Sequence, residues 1–292
     1  MNFIKSVAHF FSQLLNTLLS LGKIILKSKR GVHLPKATND TCIVLGNGPS
    51  LKTTLEKHSA ILLKTDLLCV NNFATSKEYE LLKPSYYLML DPNYWYDNPT
   101  ELVTQTYNSL QTKTAWKLQL ILPFEAKNAK ALNSLIANNK NIEVRFINYV
   151  VFKGFNVLGN FLFTKNSAMP QSQNVLVACL FAGINLGFKN LYLTGADHTW
   201  HENLHVNENN DLCLKDVHFY ENKEQVNYRM FYKDSTQTVT FKMHEILATL
   251  SKSFYGYVAV NNYAKHRNVN IYNASEISFI DAFERKKLDT LC

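Results

Sequence analysis

The stretch Cys42-Ile43-Val44-Leu45-Gly46-Asn47-Gly48-Pro49-Ser50-Leu51 reads as a short apolar strand that runs into a glycine-bearing turn and then into the start of a helix. Gly46 and Gly48 permit positive φ and close approach of backbone to a ligand, and Pro49 suits a first helical turn. N–H groups left free at such a turn can face a phosphate, so Gly46, Asn47, Gly48, Pro49 and Ser50 are candidate nucleotide-binding residues.

Outward from this turn the same pattern repeats. Apolar runs at 42–45, 67–70, 86–90, 118–122, 143–146, 190–194 and 268–272 are expected strands. Helical patterns at 51–63, 127–138, 174–186, 241–253 and 279–287 fall between or after them. Alternation of this kind predicts an α/β chain: a Rossmann-like, mostly parallel sheet with helices on both faces. Ligands of such sheets bind beyond the carboxyl ends of the strands. Those ends deliver Gly46 to Ser50, Asn71-Asn72, Asp91-Pro92, Gly195-Ala196-Asp197-His198 and Asn273 to one rim. Turn chemistry accounts for any one of these groups, but five together favour a polar ligand.

Absences narrow that ligand. The third glycine of the dinucleotide fingerprint is missing, and strand two ends in Asn71-Asn72 rather than in the acid that holds an NAD ribose, which disfavours a nicotinamide dehydrogenase. There is no GxxxxGK[ST] and no Asp-x-Asp. A metal is therefore not expected. His198, His201 and His205 are the nearest metal pattern, and the asparagines around them read as a loop.

Composition sets the remaining bounds. With 46% hydrophobic, 12% aromatic and 18% charged residues the chain can bury a substantial core. Its formal charge of +8 is concentrated: Lys5, Lys23, Lys27, Lys29, Arg30 and Lys36 precede the first acid. The body is nearly neutral, so nucleic acid is not an expected partner. The five cysteines are scattered and form no CxxC, which fits free thiols in a reducing cytoplasm.

Residues 3–26 place Phe10/Phe11, Leu14/Leu15, Leu18/Leu19 and Ile25/Leu26 on one side of a helix. Polar residues interrupt nearly every turn, against a spanning segment, and no small-x-small cleavage site follows. The expected organisation is an amphipathic helix with its linker at 1–36 and a Rossmann-like body at 37–292. The helix is read as lying on an anionic membrane surface, peripheral on the inner membrane. The competing reading packs it on the body or on a second subunit of a homo-oligomer.

The glycine turn, Asn71-Asn72-Phe73 and Tyr87-Leu88-Met89-Leu90-Asp91-Pro92 stand in the order and spacing of the bacterial sialyltransferases with a single modified Rossmann domain. They also resemble the broader MptE-like group, which includes archaeal 6-hydroxymethylpterin diphosphokinases and flagellin-glycosylating motility accessory factors. The run 183–197, GINLGFKNLYLTGAD, looks like both groups. The likeness covers residues 41–98 and 170–200, then the tail near 268–275.

The resemblance implies a glycosyltransferase that moves a sialic or other nonulosonic acid from a CMP-sugar to a cell-surface glycan or glycolipid. Asn47, Gly48 and Ser50 would then meet the nucleotide, Asn71 the phosphate and sugar, and Asp91 or Asn93 would lie nearby. The Gln171-Ser172-Gln173-Asn174 turn, with Gln173 and Asn174 at the ligand, occupies the place of a donor-binding turn at a helix start, where this sequence departs from the family's Thr-Ser-Gly type pattern. Residues 200–240 would form a lid whose tyrosines, Tyr220, Tyr228 and Tyr232, touch the departing phosphate, and His244 would be the general base, with His218 its rival. No cofactor beyond the donor is implied. The alternatives are a diphosphokinase using ATP and Mg, with Asp91 and Asp197 as ligands, and a nucleotide-binding scaffold without catalysis.

Overall fold

A computed structural model describes residues 2–215, 228–233 and 238–291. Its centre is an eight-stranded, wholly parallel sheet. In chain order the strands of this sheet are β1 (Thr41–Leu45), β2 (Asp66–Val70), β3 (Tyr86–Leu88), β4 (Leu118–Pro123), β5 (Ile142–Ile147) and β6 (Asn190–Thr194). A small antiparallel sheet of β7 (Leu204–Val206), β8 (Leu212–Lys215) and β9 (Tyr228–Met230) interrupts the series, and β10 (Asn270–Asn273) and β11 (Glu284–Arg285) complete the large sheet. The spatial order is β11-β10-β6-β1-β2-β3-β4-β5. The chain winds outward from β1 through β5, then returns to place β6 on the other side of β1, so the topological switch point lies between β1 and β6.

The helices are α1 (Asn2–Lys27), α2 (Leu51–Lys57), α3 (Ser59–Leu62), α4 (Glu78–Leu82), α5 (Glu101–Lys113), α6 (Lys130–Asn138), α7 (Asn156–Thr164), α8 (Val175–Leu186) and α9 (Met243–His266). Alternate residues of each strand face opposite sides, and two cores result. Val44, Leu68, Val70 and Leu88 pack with Phe163, Phe181, Tyr257 and Tyr263 from α7, α8 and α9. Ile43, Leu45, Leu67 and Cys69 pack with Leu51, Leu62, Tyr79, Leu110 and Leu135 on the other face. Every residue of α8 from Leu176 to Leu186 is buried, with Asn174 as its N-cap accepting from the N–H groups of Leu176 and Val177 and Gly187 closing it in the left-handed region.

Two expectations are corrected. Residues 279–287 are not helical: their apolar residues Ile280 and Phe283 are buried along an extended segment that pairs as β11 beside β10. The expected helix at 51–63 breaks at His58 into α2 and α3, and that at 241–253 continues to His266. The expected loop around His201 and His205 forms a 3-10 turn (Trp200–Asn203) and then β7.

α1 lies along the body with its small polar residues turned inward. Thr17 and Ser20 are buried, accepting hydrogen bonds from the N–H groups of Phe155 (3.1 Å) and Lys153 (3.0 Å). Gly154, at φ +140°, makes this approach feasible, because a Cβ there would stand 2.1 Å from the Thr17 hydroxyl. The outward face is apolar instead: Phe11, Leu15, Leu18, Ile25 and Leu26 are all more than half exposed. Among the described residues no helix is long and apolar enough to cross a membrane.

Candidate functional site

At the switch point the turns after β1 and β6 are fastened together. The Gly46 N–H donates to the Thr194 carbonyl and the Gly48 N–H to the Gly195 carbonyl, both at 2.8 Å. The backbones cross so closely that a Cβ on Gly46 would lie 2.5 Å from the Gly195 oxygen. Beyond the crossing, the Ser50 N–H donates to Asp197 at 2.8 Å and the Ser50 hydroxyl to the other carboxylate oxygen. Asp197 is 5% exposed, and burial pushes its carboxyl above the usual range while the two bonds from Ser50 pull it back.

This arrangement leaves the turn fewer free N–H groups for a phosphate than its sequence implies. The N–H groups of Gly46, Gly48 and Ser50 are spent within the protein, and the carboxylate of Asp197 stands where a phosphate would meet the start of α2. Asn47 and Pro49 remain exposed. The Asn47 amide donates to the Val70 carbonyl at 3.2 Å, tying the turn to the end of β2, and its own N–H makes no bond to a described residue.

The neighbouring rim is built differently. Asn71 sits at φ +51°, a conformation that asparagine tolerates better than most residues. Its carbonyl accepts from the Tyr87 hydroxyl at 2.5 Å, and its side-chain Oδ1 is buried with no partner among the described residues. Asn72 turns away, its Oδ1 accepting from the hydroxyls of Tyr94 (2.7 Å) and Thr106 (2.9 Å), which anchors α5 to the sheet. Asp91 caps the turn that follows β3 by accepting from the Asn93 N–H at 2.9 Å. Gln173 is exposed.

Asn174 carries a second buried orphan. Its Oδ1 accepts from the Leu176 and Val177 N–H groups and from the Tyr257 hydroxyl at 3.2 Å, while its Nδ2 has no partner among the described residues. Since that oxygen must accept, Tyr257 donates to it, and the 2.6 Å contact of Tyr257 with His198 is then donated by His198 Nε2. The acceptor nitrogen of His198 is therefore Nδ1. His198 stacks on Trp200 at 4.1 Å, lies at φ +57° and is 7% exposed. Burial lowers its pKa to about 3, so the imidazole is neutral at physiological pH. Tyr257 was not a sequence candidate, because it lies past the expected helix at 241–253 and in no motif; only the fold, with α9 continuing to His266, brings it to His198.

His244 is not part of this cluster. It is the second residue of α9 and exposed, thirteen residues and about 20 Å along the helix from Tyr257. Tyr220 and His218 lie outside the described residues, as does the side chain of Tyr228, whose backbone pairs in β9. Tyr232 is bridged to Thr240 beside the small sheet, and Lys233 pairs with Glu245 at 2.6 Å, joining this lid segment to α9. Asp91 and Asp197 follow strands separated by β1 and β2, so three strand spacings, about 14 Å, part them, too far to share one ion. Among the described residues no three His, Cys, Asp or Glu side chains cluster as metal ligands.

No protein-family model matches the sequence, and no curated protein matches it. Among solved structures the chain is similar to the MAf glycosyltransferase of Magnetospirillum magneticum AMB-1, with a TM-score of 0.51 and 14% identity. The match covers 91% of this chain and 37% of that protein, so this chain corresponds to little more than a third of its length. The likeness is one of fold: the parallel sheet and the helices around it are shared.

Proposed function

We propose that this chain is a glycosyltransferase that moves a sialic-type or other nonulosonic acid from a CMP-activated donor to a cell-surface glycan or glycolipid. The observation that carries the reading is the pair of buried, unpartnered amide atoms on the carboxyl edge of the sheet, Asn71 Oδ1 and Asn174 Nδ2. Leaving a buried polar group unpaired costs about 1–3 kcal/mol, and a polar ligand at the rim would relieve it. Both residues hold the places that the resemblance to the sialyltransferases assigns to the donor, and the fold shared with a glycosyltransferase agrees with it.

In this mechanism Asn47, Asn71 and Asn174 hold the nucleotide and sugar by neutral amide and main-chain groups. Gly48, Ser50 and Asp197 shape the site from behind by fixing the crossing of the two turns. His198 is better placed than His244 to take the proton of the acceptor hydroxyl, with Nδ1 as the accepting atom. Its low basicity in the ligand-free chain follows from burial, and the negative charge of a donor beside it raises that basicity. Tyr257 and Asn174 hold the ring's tautomer. Tyrosines of the lid would offset charge on the leaving CMP.

The apolar outer face of α1, flanked by Lys5, Lys23 and Lys27, would rest on anionic lipid, where the acceptor is carried. Six cations and no acid in residues 1–39 argue against pairing that face with a second copy of itself.

Isothermal titration of the full chain with CMP, with ATP and magnesium, and with GDP tests the proposal. Saturable binding of CMP alone is expected. Binding of ATP with magnesium in place of CMP would turn the assignment to a diphosphokinase, and CMP binding without turnover of any CMP-sugar would leave a scaffold.

A further inference from the structure

A cleft of about 750 Å³ lies between α1, the segment from Phe152 to Asn160 and α9. Its wall is of two kinds. Phe10 of α1 meets Phe155 with ring centroids 5.6 Å apart, and Tyr255 of α9, 60% exposed, adds a third ring. The remainder is rich in carboxamides, among them Gln13, Asn160 and Gln171. Gln171 is only 8% exposed, and what remains open of it lines the cleft. Among the described residues no carboxylate lines the cleft, whereas Lys153 and Lys252 do.

Aromatic faces beside uncharged amides are the chemistry that holds a sugar ring. The C–H face of a pyranose lies on a ring, and its hydroxyls both donate to and accept from carboxamides. A purely apolar chain would leave these carboxamides dry, at the cost of lost hydrogen bonds. The two lysines and the lack of acids among the described lining also suit a sugar that carries a carboxylate.

The cleft and the rim share one turn of chain. Gln171 opens the turn that ends at Asn174, and Asn174 holds Tyr257 and through it His198. α9 is pressed against this turn: a Cβ on Gly256 would stand 2.8 Å from the Gln171 carbonyl oxygen. We propose that this cleft is a saccharide-binding site which holds the glycan of the acceptor, an assignment of role that rests on the transferase reading above.

Saturation-transfer NMR on the full chain tests it, with the methyl glycosides of galactose, N-acetylglucosamine and N-acetylneuraminic acid as probes and CMP titrated into the same samples. Transfer to at least one glycoside is expected, lost in both Gln13→Leu and Tyr255→Ala, with CMP affinity in each variant within about twofold of the parent. Silence from all three glycosides, transfer that survives both substitutions, or binding of octanol in their place would overturn the saccharide site. Failure of CMP to bind the parent chain would remove the transferase reading while the glycoside signals still judge the cleft.

Discussion

Asp197 accepts hydrogen bonds from both the backbone N–H and the hydroxyl of Ser50, a pair of residues 147 positions apart that closes the switch point of the sheet. The carboxylate gives α2 the negative charge that its first turn lacks in sequence. A bound phosphate is thus unnecessary for this helix, and the mechanism proposed above puts the donor beside it, toward the end of β2 and the start of α8.

Replacing Asp197 by Ala strands both Ser50 donors in a buried crossing, whereas Ser50→Ala removes only one of the two bonds. Urea denaturation is expected to show a loss of about 2–4 kcal/mol for the first and about 1–2 kcal/mol for the second. Equal losses would mean that the Ser50 N–H finds another acceptor.

The parallel sheet was legible because its strands, buried on both faces, are continuous apolar runs such as Cys42 to Leu45 and Leu191 to Leu193. The rim followed from the same runs, since whatever leaves a parallel strand's carboxyl end must lie there. The clasp between Ser50 and Asp197 was not legible: a glycine turn that grips a phosphate and one that grips a distant carboxylate share the same local residues. Residues 279–287 misled for a related reason. Phe279, Ile280 and Phe283 carry helical spacing, but the segment is held in a non-helical path by contacts outside it, the Phe279 N–H donating to the Asp197 carbonyl and the Asn273 amide to that of Ile280. α5 escaped notice because only Val103, Tyr107 and Leu110 give its polar sequence an apolar stripe.

His198 makes stability depend on pH in a defined window. Its folded pKa, about 3, lies below the ordinary histidine value near 6.5, so between these limits the unfolded chain binds a proton that the folded chain refuses. Stability contributed by the neutral ring is complete above pH 6.5 and is lost as pH falls toward 3, by about 1.4 kcal/mol per unit in the middle of the window. His198→Phe keeps the ring's bulk against Trp200 and leaves the Tyr257 hydroxyl its bond to Asn174. Denaturation curves from pH 7 to pH 4 should therefore be flatter for the variant than for the parent, and parallel curves would show that the buried imidazole does titrate.

Asn71 separates a binding role from a conformational one. Asn71→Gly keeps the positive φ and removes only the amide with the unpartnered oxygen. CMP affinity is expected to fall at least about tenfold, with little change in the thermal midpoint. Undiminished affinity would take Asn71 out of the donor site.

Transfer from a CMP-sugar should tell the two histidines apart. His198→Gln is expected to lower kcat at least about a hundredfold while CMP still binds, because the proton acceptor is lost and the nucleotide's amide partners stay. His244→Ala, an exposed change near the start of α9, is expected to leave kcat within about threefold of the parent. The reverse ranking would mean that the lid brings the start of α9 down to the rim during turnover.

Membrane attachment calls for a gentler test than deleting the first 36 residues. Leu34 is buried in the core, and Thr17 and Ser20 bond to the segment before α7, so truncation would open the body itself. Leu15, Leu18 and Ile25 instead touch the outer surface, at 58%, 58% and 81% exposure. The triple change Leu15→Glu, Leu18→Glu, Ile25→Glu removes apolar area and adds three repelling charges without disturbing the inward face. The parent chain is expected to sediment with vesicles of phosphatidylcholine and phosphatidylglycerol and the variant to stay in the supernatant, with unchanged circular dichroism. Because a second copy would also be repelled by three added acids, sedimentation equilibrium without lipid separates the cases: a parent chain that is already dimeric, and a variant that is monomeric, would assign this face to self-association.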